Sequence, residues 1–127
     1  MQERPVYLDL RKIRLPMSAF SSITHRLSGM YIFFITLPML LYVINKSTAS
    51  KASFEELLVQ LNTTSIFSVL FFVSISIFWY HVLTGVRHLI MDFFHIGESL
   101  KAANFSSIFV VCFWILSFLI FMGYLFL

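Results

Sequence analysis

Three observations predict an all-α integral membrane fold with three transmembrane helices. The chain is 59% hydrophobic and only 12% charged, about half the charged share of a soluble domain. Its mean hydropathy is +0.88. At 127 residues it is too short to hide sixteen Phe in an aqueous core. The third observation is spacing: Leu27–Ile44, Ile66–Val86 and Phe105–Leu127 run 18, 21 and 23 residues without a charge. About 20 apolar residues cross the hydrocarbon core as a helix, and the helix satisfies its own backbone polar groups in lipid.

Each element follows in order. Residues 1–21 form a polar, basic arm, with helix I expected over 22–45. Pro38 falls inside helix I, where neighbouring helices are expected to satisfy the carbonyl it frees. An outer loop follows over 46–65. Ser53 with Glu56 reads as a capping box for a short amphipathic helix over 54–61, with Leu57, Leu58 and Leu61 resting on the membrane surface. Helix II covers 66–91; its polar interruptions include Ser74, Ser76, His81 and Thr84. A second loop spans 92–103 and helix III 104–127. The whole reads as one membrane-anchor domain, without internal repeats or a soluble module.

Basic residues set the expected orientation. Arg4, Arg11, Lys12, Arg14 and Arg26 precede or open the first span, whereas Lys46 and Lys51 in the outer loop are offset by Glu55 and Glu56. The positive-inside rule puts the N-terminus in the cytoplasm and the first loop and C-terminus outside. The formal charge of +3 therefore reads as topology, and no nucleic-acid partner is expected. The first 26 residues lack the apolar core and cleavage site of a signal peptide. Glu3 and Asp9 are at odds with a transit peptide. Cys112, the single cysteine, sits inside the third span as a small packing residue.

Two polar constellations interrupt this apolar chain. In SSITHRLSG, Ser22, His25, Arg26 and Gly29 fall at i, i+3, i+4 and i+7, one helical face. A lone Arg at a membrane boundary ordinarily snorkels to headgroups, but snorkelling calls for neither the adjacent His nor the Ser one turn earlier. In WYHVLTGVRHLIMDFF, His81, Gly85 and His88 fall at i, i+4 and i+7. Arg87 and His88 mark the boundary, so His81 lies roughly 9 Å inside it at 1.5 Å per residue. An ionisable residue at that depth is a functional candidate. A neutral imidazole there suits a haem iron, with Gly85 clearing space for a flat macrocycle and His88 and Arg26 near enough to meet its propionates. The other reading of His81 is an interhelical hydrogen bond to a Ser or a backbone carbonyl. Both stand at this stage.

The two stretches together resemble the cytochrome b-type membrane-anchor subunit of succinate dehydrogenase. That family carries Arg-Pro, then Ser-x-x-His-Arg-x-Ser/Thr, here Arg4-Pro5 followed by Ser22, His25, Arg26 and Ser28. Its second motif is His-x-x-x-Gly, a hydrophobic residue, Arg-His and a following Asp, here His81, Gly85, Val86, Arg87, His88 and Asp92. Phe94 stands where the family commonly has a small residue. The resemblance implies that His81 is the axial ligand of haem b. It implies that Ser22 and Arg26 line the quinone site, and that His25, Arg26 and His88 meet the haem propionates. Asp92 is implied near the quinone pocket as a proton relay; the plainer reading is a solvated carboxylate. The implied partners are a flavoprotein, an iron–sulfur subunit and a second small anchor subunit. That second anchor completes the haem-binding helical bundle and donates the other axial His, since His25 is expected to lie too shallow to oppose His81. Flavin and iron–sulfur centres are assigned to those partners because this chain has neither a dinucleotide fingerprint nor a cysteine cluster. The implied location is the bacterial inner membrane, or the mitochondrial inner membrane for an organelle-encoded chain. Three rivals remain: a haemless or fumarate-reductase-type anchor, a small transporter subunit, and a structural scaffold.

Overall fold

A computed structural model describes residues 15–97 and 99–126, without the side chains of residues 125 and 126. The basic arm, including Arg4-Pro5, lies outside the described residues. The first rod comprises α1 (Met17–Tyr31), a π-helical turn (Ile32–Thr36) and α2 (Leu37–Ala49). Then come α3 (Lys51–Asn62), α4 (Ile66–Phe94) and α5 (Leu100–Phe126). Three of these units are long and apolar enough to cross a membrane: Met17–Ala49, Ile66–Phe94 and Leu100–Tyr124. No strand occurs among the described residues. This is an all-α integral membrane protein.

Burial is inverted relative to a water-soluble bundle. Phe34, Phe93 and Phe105 are 71%, 80% and 74% exposed, while Ser74, Thr84 and Ser107 are fully buried. Lipid solvates the large apolar side chains. Small residues let the backbones approach; Ser107 Oγ bonds the Ala103 carbonyl of its own helix and Thr84 Oγ1 has no partner among the described residues, while other side chains bond across the seams. Tyr31 and Ser74 pair at 3.2 Å, Thr24 and Tyr80 at 2.6 Å, and Trp114 Nε1 donates to the Ser76 carbonyl at 3.0 Å. Rising numbers on α1 meet falling numbers on α4, so the two run antiparallel. Ser18 N donates to Asn104 Oδ1, which sets α5 parallel to α1 in an up-down-up bundle.

Helix ends differ from the apolar runs. The first rod begins at Met17 and ends at Ala49, beyond the expected 22–45. Ser18 is tied to α5 at one end, and Lys46 pairs with Glu56 at 2.7 Å at the other. Hydropathy marks where lipid stops; hydrogen bonding marks where helix stops. Pro38 lacks the N–H that would bond four residues back, and the chain widens its register just upstream, with Leu37 N bonding the Ile32 carbonyl. A π turn of this kind is a common cause of bending. The register change therefore lies immediately before Pro38 in the same helical rod.

The outer segment 46–65 is mostly helical. α3 starts one turn before the capping box predicts, because Ser50 is its N-cap and accepts from Ser53 N at 3.1 Å. Leu57 is buried against the bundle, whereas Leu58 stays exposed. α4 opens on a Ser65 cap bonded to Ser68 N and continues through Phe94, so Asp92 lies on its last turn rather than in a loop. His95 at φ 51° closes α4 in the left-handed region, a common helix ending. Gly97 at φ 90° makes the turn onward, and α5 begins at Leu100 rather than 104.

Candidate functional site

The expected site residues converge where α1 begins and α4 ends. The His25 and His81 rings stack face to face, centroids 4.2 Å apart and planes 14° apart. His88 lies 5.4 Å from His25 in a tilted arrangement. Three imidazoles from two antiparallel helices therefore form one cluster, which follows from the i, i+4, i+7 spacing of His81, Gly85 and His88 facing α1. His25 reaches the depth of His81, deeper than sequence spacing suggested, because antiparallel packing aligns residue 25 with residues 81–88.

His81 is held by one edge. Its Nδ1 lies 2.9 Å from Ser28 Oγ and 3.2 Å from the His25 carbonyl. Ser28 Oγ itself donates to that carbonyl at 2.7 Å. With the hydroxyl proton committed, Nδ1 is the donor to both oxygens, which fixes the neutral tautomer with its lone pair on Nε2. No hydrogen bond engages Nε2 among the described residues. The bland sequence reading, an interhelical bond to Ser and carbonyl, therefore holds for Nδ1. It also leaves Nε2 as a metal-ligating atom would need it.

Two glycines shape the cluster. A Cβ added to Gly29 would sit 3.2 Å from His81 Cε1, and one added to Gly85 would sit 3.4 Å from His25 Nε2. Gly85 thus faces His25, while Gly29 gives His81 its tightest clearance. Ser22 is half-buried and Arg26 exposed, and neither makes a hydrogen bond or ion pair among the described residues. Asp92, one turn past His88 on α4, is exposed like Arg26.

A second stripe lies beside the two motifs. Ser21, Thr24, Ser28 and Tyr31 follow a helical spacing, and Tyr80, Thr84 and Arg87 do so on α4. These form the interior seam, with Ser21 and Thr84 almost wholly enclosed. Arg87 turns away from the imidazoles, donating from Nε to Ser106 Oγ at 3.0 Å and from Nη2 to the Ala103 carbonyl at 2.8 Å.

The residues fit a haem on three counts. His81 offers a preset Nε2. His25 Nε2 is buried without a partner and would gain one from a carboxylate. Free cationic and hydroxyl groups ring the cluster. No trio of His, Cys, Asp or Glu among the described residues could hold a bare metal ion, whereas a porphyrin brings four nitrogen donors of its own. The face-to-face stacking of His25 on His81 leaves no place for iron between the two rings, so His25 is not a second axial ligand in this arrangement.

The fold defines a membrane-spanning helical protein in which α1 and α4 bring three imidazoles together. Residues 1–121 match the family described as succinate dehydrogenase/fumarate reductase transmembrane subunit. The chain is 35% identical over 113 residues to the succinate dehydrogenase cytochrome b556 subunit of Coxiella burnetii, covering 87% of this chain and 89% of that one. It is 36% identical over 90 residues to the succinate dehydrogenase cytochrome b560 subunit of Porphyra purpurea, covering 70% and 71%. The chain belongs to the succinate dehydrogenase cytochrome b membrane-anchor family, and so to an oxidoreductase complex.

Proposed function

We propose that this chain binds haem b and helps form the quinone-reduction site of succinate dehydrogenase, with its N-terminus on the cytoplasmic side of a bacterial inner membrane or the corresponding face of a mitochondrial one. The observation that carries the reading is the hydrogen-bonded edge of His81, which leaves Nε2 available as the axial ligand. Bound there, haem would supply a one-electron redox centre. His81 would hold its iron, His25 and His88 would donate to its propionates, and Arg26 would add permanent charge. A second small anchor subunit would contribute the other histidine. Electrons arrive from the iron–sulfur subunit, which a succinate-oxidising flavoprotein feeds.

Ser22 and Arg26 serve the quinone. Reduction to the quinol takes two electrons and two protons, and negative charge gathers on the carbonyl oxygens as the electrons arrive. Fixed donors aimed there stabilise that charge. The guanidinium offers a planar fork of N–H groups and the Ser22 hydroxyl one more. Asp92, on the exposed last turn of α4, is placed to pass protons inward from water.

The test is a reduced-minus-oxidised spectrum of the purified complex together with succinate–quinone activity. The wild type is expected to show b-type bands. Arg26→Ala is expected to lower quinone reduction by about 100-fold or more, in the range of a lost oxyanion donor, while succinate oxidation with a soluble dye acceptor persists. A complex without b-type bands, or an Arg26→Ala variant with normal quinone kinetics, overturns the corresponding half of the reading. Proton flux in liposomes without redox partners would instead favour a transporter subunit.

A further inference from the structure

Arg87 is the one residue of the second motif that faces the bundle interior and not the imidazoles. It is 6% exposed within a helix that spans the membrane, so its guanidinium is largely stripped of water. A buried cation is ordinarily paired with an anion. Here the acceptors are neutral, the Ser106 hydroxyl and the Ala103 carbonyl. No carboxylate lies within ion-pairing distance of it among the described residues, where the only such pairs are Lys46–Glu56 and Lys51–Glu55. Asp92, the carboxylate on the same helix, is exposed. The bonds strap α4 to the start of α5, yet no anion among the described residues compensates the positive charge.

That charge is close to the proposed redox pocket. Arg87 is next to His88, on which its charge acts, and roughly 9 Å along the helix axis from His81 at 1.5 Å per residue. Fields in a low-dielectric interior are weakly attenuated over such distances. An electron arriving at the His81 site, from the iron–sulfur partner, adds one unit of negative charge there. A fixed cation nearby stabilises the electron-rich state relative to the electron-poor one. Resting on the haem-binding reading above, we infer that Arg87 supplies the uncompensated positive charge that raises the reduction potential of the haem held at His81. Arg26 is exposed on the surface of this chain, whereas Arg87 is enclosed within it.

A strap and a charge are separable by substitution. Arg87→Met removes both, and Arg87→Lys keeps the charge. Ser106→Ala removes one strap bond and keeps the charge. Ser106→Asp puts a carboxylate beside the guanidinium, where it stays ionised and cancels the charge while keeping a bond. Redox titration of the haem α-band in the purified complex is expected to place Arg87→Met and Ser106→Asp at clearly lower midpoint potentials than wild type. Arg87→Lys and Ser106→Ala should titrate near wild type, and all four should keep the six-coordinate spectrum. Unchanged midpoints in Arg87→Met and Ser106→Asp overturn the inference, as does a Ser106→Ala shift as large as that of Arg87→Met. If Arg87→Met fails to assemble, the Ser106→Asp and Ser106→Ala pair decides alone. A wild-type complex lacking b-type bands sinks the underlying reading; spectrally intact variants with unchanged midpoints sink only this one.

Discussion

His81→Ala should remove the haem b of the complex while the chain still inserts and assembles. Nε2 is the atom the reading depends on, and the substitution deletes it together with the Nδ1 bonds to Ser28 and the His25 carbonyl. Little apolar packing is lost, because His81 lies at the edge of the interior seam formed by Tyr80, Thr84 and Arg87. The measurement is pyridine-haemochrome haem content per assembled complex, expected to fall to background. Ser28→Ala provides the graded comparison: it removes the hydroxyl that helps orient the ring but leaves the carbonyl and Nε2. Outer-shell partners of ligating histidines are typically worth 10–100-fold in metal affinity, so haem should become exchangeable rather than absent. Haem retained at wild-type stoichiometry and coordination in His81→Ala would remove the axial assignment altogether.

The contrast between these variants tracks what was legible in the sequence. The three spans and the His81–Gly85–His88 face were readable because hydropathy and a helical period act locally. The stacking of His25 on His81 was not, since it depends on the offset between two antiparallel helices that no local pattern encodes. Helix ends were misjudged for the same reason: Ser18 reaches Asn104 and Arg87 reaches Ala103, contacts 86 and 16 residues away in sequence. The inner hydroxyl stripe had a local signal. Ser21, Thr24, Ser28 and Tyr31 share a face, yet serines and threonines register only as interruptions of hydropathy, and the adjacent stripe with His25 and Arg26 carries the ionisable groups that point to chemistry. The division of labour between the two faces explains the pattern. Small hydroxyl residues face inward, some bonding across the seam and others, Ser21 and Thr84, enclosed without a partner among the described residues, while the exposed Arg26 and Asp92 face the rim. Ser28 belongs to the inner face and still touches His81, joining the seam to the rim.

Gly29→Val should cost the complex most of its haem even though it alters no proposed ligand. A Cβ at residue 29 would stand 3.2 Å from His81 Cε1 and 3.8 Å from Nδ1, before either γ-methyl is placed. The ring cannot withdraw without loss, because Ser28 and the His25 carbonyl hold it at Nδ1, beside the crowded Cε1, and the His25 ring covers its face. Relief must come from tilting His81 or spreading α1 from α4, and either moves Nε2 from its set direction. In a helix interior without such a neighbour the exchange of Gly for a larger residue is neutral or favourable, Gly being about 1 kcal/mol worse than Ala. Assembly should therefore persist while haem content falls and the remaining spectrum broadens. Gly85→Ala is the milder comparison: its methyl would lie 3.4 Å from His25 Nε2, touching a propionate donor but not His81, so haem loss should be clearly smaller than in Gly29→Val. Equal haem loss in both variants would point to general loosening of the α1–α4 interface. Normal haem in Gly29→Val would mean that the His81 ring does not occupy the place that its two oxygen partners define.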